Sequence, residues 1–319
     1  MSKRRERFTA YGSAVLLVLG TLTVTSAATA TAAAAPNPQD LCGKGTAIKL
    51  DRSAFPRTPE IENKWFPLEP GTQITTTGTV FSPAEGTTQK RTVISTVTGL
   101  TKMIDGVNTQ VVWDRDFTDG ELAESELAFF AETKKGKGTV WLFGEYPEEY
   151  ENGKLAGAPS TFISGIDKAL AGIAMLDHPR PKSPAYPQAS APSVDFLDCA
   201  KVLKDDQRVC VKTGCYNDVV EIVESNPLEP LSSAGKQHKF YSKKTGLIKV
   251  TAEGGDDQEN MKLVKIKKLS SSELKSINAQ ALKQDSRGYT VSKDVYAKTP
   301  HAVVAESSSH SGRSLRNDS

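Results

Sequence analysis

Apolar and polar residues alternate along much of the chain between residues 61 and 269. The segments "TQITTTGTVF" (72–81), "NDVVEIVES" (217–225) and "LIKVTAEG" (247–254) show this alternation. A period of two places the apolar side chains on one face of a β-strand. Turn residues separate such segments at a spacing of about ten residues, which is typical of all-β domains. The pattern therefore predicts a β domain.

Three dipeptides mark tight connections between these strands: Asp105-Gly106, Asp119-Gly120 and Asn152-Gly153. A two-residue hairpin turn needs positive φ angles, which glycine, asparagine and aspartate tolerate best. Strands that are neighbours in sequence then pair in space, as in a meander. The predicted fold is mainly β, a single curved antiparallel meander or open barrel-like sheet with one C-terminal helix.

The predicted helix lies in "SSSELKSINAQALKQ" (270–284). Ser270 and Glu273 form a capping-box pattern, which begins a helix. The apolar residues fall on one helical face, and they are Leu274, Ile277, Ala281 and Leu282. We expect a helix near Ser272–Asp285 that lies across the sheet or closes one end of it.

The remaining segments flank or interrupt the β domain. We predict a signal peptide (1–32), an extended arm (33–60), the β domain (61–269), the helix with an adjoining segment (270–300) and a disordered polar tail (301–319). Residues 160–192 are rich in proline. Because proline cannot donate to a sheet ladder, we expect a loop or covering lid there and no central strand.

The N-terminus has the parts of a secretory signal. A positive segment that includes Arg4 and Arg5 precedes an apolar run at residues 14–24, and cleavage after Ala32 fits the small residues that follow. The apolar run is shorter than the roughly 20 residues that span a bilayer. We therefore predict a secreted protein with no stable membrane insertion after signal cleavage.

Composition narrows the classes of partner. The chain has 319 residues, of which 38% are hydrophobic and 24% charged, so a globular core is possible. The formal net charge is +2. A balance so close to neutral gives no basic field to attract nucleic acid, and we predict no nucleic-acid partner.

Four cysteines follow the predicted signal: Cys42, Cys199, Cys210 and Cys215. An even number in an oxidising compartment predicts two disulfides. Cys210 and Cys215 flank the short turn "VKTG", which favours a Cys210–Cys215 bond and a Cys42–Cys199 bond that ties the arm to the sheet. Pairing of Cys199 with Cys210 is the alternative. A zinc site is disfavoured, because the sequence has no C-x-x-C pair.

The stretch "WDRDFTDGELAESE" (113–126) is the strongest candidate for chemistry. Its glycine and its twelfth residue do not match an EF-hand loop. A hairpin around Asp119-Gly120 fits better, and it predicts that Phe117 faces Leu122, Arg115 faces Glu124 and Trp113 faces Glu126. We expect its acids to be mostly solvated. A weak calcium site that uses Asp114, Asp116 or Asp119 with the Glu145–Glu151 region is the alternative.

Signals for catalysis are weak. The sequence has no G-x-S-x-G nucleophile elbow and no phosphate-binding glycine loop. His178 lies in the proline-rich segment, and His238 in an alternating strand, where a histidine is usually half-exposed and paired. Glu145, Glu148, Glu149 and Glu151 form a second acidic group that a solvated face explains. We predict no enzyme, no cofactor, no metal ligands and no catalytic residue.

Several motifs together resemble a family of uncharacterised, exported, β-rich bacterial proteins, mainly from actinobacteria. They include "NKWFPLEPGT", "FGEYPEEYENGK", "DFLDCAKV" and "CVKTGCYNDVV", and the likeness covers roughly Asn63 to Tyr296. The segment "YSKKTGLIKV" departs from the family, in which this turn is similar to "YAPGVG". The resemblance implies export and carries over no catalytic residue.

These observations favour a non-enzymatic exported binding or carrier module for a small apolar or envelope-derived ligand, because strongly curved sheets often enclose a cavity. An extracellular protein-interaction or inhibitor module that acts through its loops is the second hypothesis. A polysaccharide hydrolase is the third. A deep apolar pocket would favour the first hypothesis, a rigid exposed loop with apolar tips the second, and two convergent carboxylates in a cleft the third.

Overall fold

The computed structural model describes residues 37–45, 48–134, 138–230 and 233–305. Within them the strands are β1 (Thr72–Ser82), β2 (Thr87–Ile104), β3 (Val107–Thr118), β4 (Glu121–Glu132), β5 (Val140–Glu151), β6 (Lys154–Gly157), β7 (Phe162–Ile163), β8 (Leu170–Met175), β9 (Tyr186–Ala191), β10 (Phe196–Val211), β11 (Gly214–Ser225), β12 (Gly235–Ser242), β13 (Gly246–Gly254), β14 (Gln258–Lys268) and β15 (Val303–Val304). The helices are α1 (Pro38–Cys42) and α2 (Ser271–Val291), with 3-10 turns at Arg52–Ala54, Pro192–Val194 and Tyr296–Lys298. The predicted signal peptide lies outside the described residues.

Twelve of these strands close into an antiparallel barrel. Their order in space is β1-β14-β13-β12-β11-β10-β9-β8-β5-β4-β3-β2, and β2 pairs again with β1. The predicted antiparallel β fold with a C-terminal helix is confirmed, but the open sheet is wrong. The sheet closes because β1 has a partner along both edges, Thr72–Phe81 against β14 and Gln73–Ser82 against β2. Strand β1 therefore has no unpaired edge.

Three groups of buried apolar side chains hold the barrel together. The largest draws on strands from all sides, including Val112, Phe130 and Tyr241, and fills part of the interior. A second group lies between the outer face of β2–β5 and α2. A third lies on the opposite outer face, where the β10–β11 hairpin covers Phe240 and Leu263. Inner and outer faces are thus both covered over much of the sheet.

The proline-rich segment is part of the barrel wall, which corrects the prediction of a loop or lid. β8 and β9 lie within residues 160–192 and connect β5 to β10. Pro187 is in β9 opposite Cys199, next to a register shift after Asp198. A bulge of this kind tolerates a residue that cannot donate to the ladder. The other prolines that disfavoured a strand lie mainly in the connection between β8 and β9.

Both disulfides have the pairing that the sequence favours. Cys42–Cys199 joins α1 to β10 across 157 residues, with Cα atoms 5.2 Å apart. Cys210–Cys215 closes the tip of the β10–β11 hairpin, with Cα atoms 4.0 Å apart. The zinc alternative is wrong, because all four cysteines are bonded.

Helix α2 begins at the predicted capping box. The Ser270 hydroxyl accepts a hydrogen bond from the Glu273 amide at 3.3 Å, and the Glu273 carboxylate accepts one from the Ser270 amide at 2.8 Å. The helix extends to Val291, beyond the predicted end. It approaches β2 closely at Gly99, whose amide donates to Asn278 at 2.8 Å. A Cβ at Gly99 would lie 2.8 Å from the Asn278 amide nitrogen, so glycine permits this approach.

The substitution Ser270→Ala is expected to lower the free energy of unfolding by about 1 kcal/mol, because it removes the acceptor for a helix-terminal N–H. Urea denaturation measures the change. Ser271→Ala, at the first helical position, is the matched control and should change stability by less than about 0.5 kcal/mol. Equal effects of the two substitutions would contradict the capping role.

The structure of the C-terminal segment continues for five residues past Pro300, where the composition predicts a disordered tail. Val303 and Val304 form β15, which pairs with Thr101 and Leu100 of β2, and the Ala305 amide donates to Gly99 at 2.9 Å. The first five residues of the predicted disordered tail therefore lie against the barrel, and 306–319 fall outside the described residues. Among the helices that the structure describes, none is both long and apolar enough to cross a membrane.

Candidate functional site

The acidic hairpin forms around the predicted turn but with a different register. Asp119 and Gly120 have φ angles of 52° and 90°, and Phe117 faces Leu122 as predicted. A register shift between Asp116 and Phe117 then accommodates Ala123 as an extra residue on β4. The predicted pairs of Arg115 with Glu124 and of Trp113 with Glu126 are wrong for this reason.

The shift places like charges directly opposite each other. Asp116 faces Glu124 and Asp114 faces Glu126, while Arg115 faces Ser125. Opposed residues on antiparallel strands have Cβ atoms about 5 Å apart, so like-charged pairs there are destabilising. Such pairs therefore require a protonated carboxyl or a nearby cation.

These acids are buried inside the barrel, which corrects the expectation that they are solvated. Asp114, Asp116, Glu124 and Glu126 keep 4%, 4%, 6% and 1% of their surface exposed. Alternation along β3 turns Trp113 to the outer face, where its indole donates to Gln284 of α2 at 2.9 Å. Both faces of this hairpin are covered, so its acids have no route to bulk water along the strand.

Strand β5 adds a fifth interior acid. Glu145 is opposite Ala128 of β4 and 2% exposed. We call Asp114, Asp116, Glu124, Glu126 and Glu145 the acidic cluster. The predicted solvated group at 145–151 is thus divided between the faces: Glu148 points outward and accepts hydrogen bonds from Arg287 of α2 at 3.0 and 2.6 Å.

Few buried cations face the acidic cluster. The described residues bury three: Lys102 under α2, and Arg91 and Lys239 in the barrel interior. Arg91 makes ion pairs with Asp116 and Glu259, and Lys239 makes one with Glu224. The interior carboxyls therefore outnumber the cations that neutralise them.

Several polar atoms in this interior have no hydrogen-bond partner among the described residues. They include both carboxylate oxygens of Glu126, one oxygen of Glu145 and the hydroxyl of Tyr186. Buried polar atoms in native proteins almost always have a partner in protein, water or ligand. These atoms therefore indicate a place where water or a ligand is bound.

Burial raises the pKa values of four carboxyls of the acidic cluster. It raises the pKa of Asp114 to about 7, with a smaller contribution from Asp116, while a hydrogen bond from Ser95 acts in the opposite direction. Burial, followed by the neighbouring acids, also raises the pKa values of Glu124, Glu126 and Glu145 well above their ordinary values. Burial therefore favours the protonated forms of these carboxyls.

One end of the interior opens into a polar cavity of about 100 Å³. We call its lining the polar mouth, which includes Asp198, Glu224, Glu229, Gln237 and Glu259. Gln188 donates to Glu224 at 3.0 Å, and Gln237 donates to Glu259 at 2.5 Å. Both glutamates are thus oriented by amide side chains.

The polar mouth and the acidic cluster belong to one electrostatic unit. Burial raises the pKa of Asp198 to about 7, and Glu224 adds to this shift. Asp198 in turn contributes to the raised pKa of Glu145, and Lys239 opposes it. A charge that enters the polar mouth therefore acts on the inner acids.

The apolar part of the interior is nearly filled. The void between Phe66, Phe130, Phe196 and Tyr241 has a volume of about 10 Å³. A single water needs at least about 10–15 Å³ of such space. The void therefore has no room for an apolar ligand of ordinary size.

The remaining candidates do not converge on a metal centre. No group of three or more His, Cys, Asp or Glu side chains in the described part of the chain is arranged to hold a metal ion. His178 is exposed beside Asp177, at 2.8 Å. His238 lies on the barrel wall between Glu221 at 2.8 Å and Glu253 at 3.3 Å, so its ring nitrogens have partners, as expected for a satisfied histidine.

Sequence analysis missed the interior cations and the polar mouth. Arg91, Lys239, Asp198 and Glu224 all lie on strands whose polar positions look like solvent-facing ones. A usable signal was present in β3, β4 and β5, where acids recur two residues apart on three consecutive strands. That recurrence is typical of a shared polar face and does not say which side of the sheet is enclosed.

Comparison with known proteins gives little guidance. No family model matches the chain, and no curated protein matches it. Two solved structures are similar: a Bacteroides fragilis protein described as exported and YmcC-like in fold (13% identity, TM-score 0.38, 65% of this chain and 100% of that one), and a Parabacteroides distasonis protein described as a lipoprotein (12%, 0.36, 64% and 99%). TM-scores this low carry neither fold nor function over to this chain.

Proposed function

We propose that the protein is a non-enzymatic exported binding module whose ligand enters the barrel through the polar mouth. One observation carries the proposal: a closed barrel encloses unpartnered buried carboxyl oxygens and has a cavity of about 100 Å³, whose lining residue Glu259 shares Arg91 with the inner Asp116. Closed β barrels commonly hold one small ligand in their interior. Two disulfides fit a protein that works outside the cytoplasm.

The geometry favours a small polar ligand over the apolar ligand that the sequence favours. Pockets for drug-sized apolar molecules occupy about 300–1,000 Å³. The apolar void of about 10 Å³ is far below that range, whereas the polar mouth is both larger and lined by acids. A compact ligand with hydrogen-bond donors matches the acceptors that line this cavity.

Native mass spectrometry of the secreted protein from its own host tests this function. We expect a small polar adduct that is absent from Ala252→Trp, a substitution that fills the polar mouth, because Ala252 lines it. Leu155→Trp, at an exposed position on β6, is the control and should retain the adduct. An adduct that persists in Ala252→Trp, or a bound lipid, would contradict the proposal.

A polysaccharide hydrolase is the second candidate, because the polar mouth contains two carboxyls with different surroundings. Burial raises the pKa of Asp198 to about 7, while Glu224 contacts Lys239 and accepts a hydrogen bond from Gln188. Glycoside hydrolysis uses a pair of carboxyls, one of which donates a proton. Turnover of cell-wall glycans by the native chain and its loss in Asp198→Asn would favour this candidate over binding alone.

A further inference from the structure

The interior has more acidic than basic side chains at both of its polar zones. At the polar mouth, Asp198 and Glu229 line the cavity beside Glu224, whose charge Lys239 neutralises. Deeper inside, Arg91 neutralises Asp116, and neither Glu126 nor Glu145 has an ion pair of its own among the described residues. A cationic ligand would restore the balance in both zones.

The unpartnered atoms identify the inner end of such a ligand. Glu126 is 1% exposed, and both of its carboxylate oxygens lack a hydrogen-bond partner in the described structure. Alternation with the outward-facing Leu127 turns Glu126 to the interior, and Lys239 lies on β12, on the other side of the barrel. Lys239 also shows that a primary ammonium group is compatible with this interior.

The spacing of the acids does not suit one metal ion. Alternate residues on a strand, such as Asp114 and Asp116, are about 6.8 Å apart, and neighbouring strands lie about 4.8 Å apart. Calcium gathers six or more oxygens at about 2.3–2.6 Å from one point. The carboxyls are therefore spread along the interior, in agreement with the absence of metal-like groups among the described side chains.

The next pair of facing residues along β3 and β4 is apolar. Val112 of β3 faces Ala128 of β4, and both are buried beside the pair of Asp114 and Glu126. Val112 and Ala128 lie on the side of this pair away from Asp116 and Glu124, so they bound the inner end of the site. An ammonium group brings three N–H donors, enough to satisfy several acceptor oxygens at once.

We propose that the barrel interior binds a linear diamine, with one ammonium group at the polar mouth and the other at Glu126 and Glu145. This proposal names the ligand class of the binding function proposed above and rests on it. The charged groups in this part of the interior are Arg91 (β2), Asp114 and Asp116 (β3), Glu124 and Glu126 (β4), Glu145 and Glu149 (β5), Asp198 (β10), Glu224 (β11), Lys239 (β12) and Glu259 (β14). The polar mouth adds Glu229, Lys236, Asp256 and Asp257.

Isothermal titration calorimetry of the full chain with 1,5-diaminopentane tests the proposal. Glu126→Gln should weaken binding about 10- to 100-fold, because it removes the acceptor charge from one charge-assisted hydrogen bond. Asp198→Asn, which changes a half-buried residue at the polar mouth, should weaken binding by a similar factor. Glu121→Gln, on the exposed first residue of the same β4 strand, is the matched control and should leave affinity unchanged.

Ligand controls separate charge from shape. 1-Aminopentane should bind about 10- to 100-fold more weakly than the diamine, since it lacks the second ammonium group, and 1,5-pentanediol should give no binding heat. Equal affinity for the diol, equal affinity of the native chain and Glu126→Gln, or displacement of the diamine by calcium at equal concentration would overturn the proposal.

The outcomes distinguish this inference from the proposed function. If no amine binds but a neutral polar adduct is present and Ala252→Trp removes it, the diamine proposal is contradicted and the proposed binding function is supported. If calorimetry shows no amine binding and native mass spectrometry shows no adduct, both proposals are contradicted. Because glutamine imitates the protonated carboxyl, Glu126→Gln is expected to fold, and a near-native melting temperature checks this directly.

Discussion

Raising the pH from about 4 to 7 is expected to lower the free energy of unfolding on the order of 4 kcal/mol through Asp114 alone. Burial raises the pKa of this carboxyl from 3.8 to about 7. Within that window the folded chain keeps a proton that the unfolded chain has released. Each such carboxyl therefore costs about 1.4 kcal/mol of stability for each unit of rising pH.

The other acids of the cluster act in the same direction. The pKa values of Glu124, Glu126 and Glu145 are also raised, so the stability that their protonated forms give is present at low pH and is lost as pH rises through the folded pKa values. Urea denaturation at several pH values without ligand measures the slope. A stability that increases with pH through this window would show that these carboxyls are ionised and paired.

Neutral substitutions provide the control for this slope. Asp114→Asn keeps the size of the side chain and removes its titration, so the dependence on pH should become shallower and stability near pH 7 should rise. Glu121→Gln removes an exposed carboxyl from the same hairpin and should leave the slope unchanged. The comparison separates the effect of removing a buried carboxyl from the effect of losing one negative charge.

Replacing Lys102 by methionine is expected to lower the free energy of unfolding by about 3–5 kcal/mol. The Lys102 side chain is fully buried, and its ammonium group donates to Asp285 at 2.8 Å and to the Pro300 carbonyl at 2.7 Å. Asp285 also accepts from the Tyr296 hydroxyl at 2.7 Å. Without the lysine, a buried carboxylate would lose its counterion and α2 would lose its charged contact with β2.

Two further variants complete the measurement. Lys262→Met changes an exposed lysine on β14 and should alter stability by less than about 0.5 kcal/mol. The double variant Lys102→Met/Asp285→Asn leaves no unpaired charge, so its cost should be smaller than the sum of the two single costs. Strict additivity in denaturant unfolding would contradict the buried pair.

Local features of this fold could be predicted because they depend on local chemistry. Asp105-Gly106 and Asn152-Gly153 both adopt the positive φ angles that a tight hairpin requires, and Ser270 caps α2 as its spacing to Glu273 predicts. Each of these features depends only on residues that are close together in the sequence. Closure of the barrel could not be predicted in this way, because β1 meets β14 nearly two hundred residues later in the chain.

The candidate site escaped prediction for a related reason. An extra residue at Ala123 changes every pair beyond it on the acidic hairpin, so the acids meet each other and no longer meet Arg115. Period-two alternation gives two faces but does not say which one the barrel encloses. The amino-acid pattern thus located the acidic residues, and only closure of the sheet made them interior.

The short strand β15 matters for the behaviour of the protein in solution. It pairs with Leu100 and Thr101 on a stretch of β2 that lies beyond the register of β1, so it covers backbone groups that closure of the barrel leaves free. An uncovered strand edge is a template for pairing with another chain. Truncation after Pro300 would therefore expose a site for self-association, and a fusion partner at the C-terminus needs a spacer that leaves residues 301–305 in place.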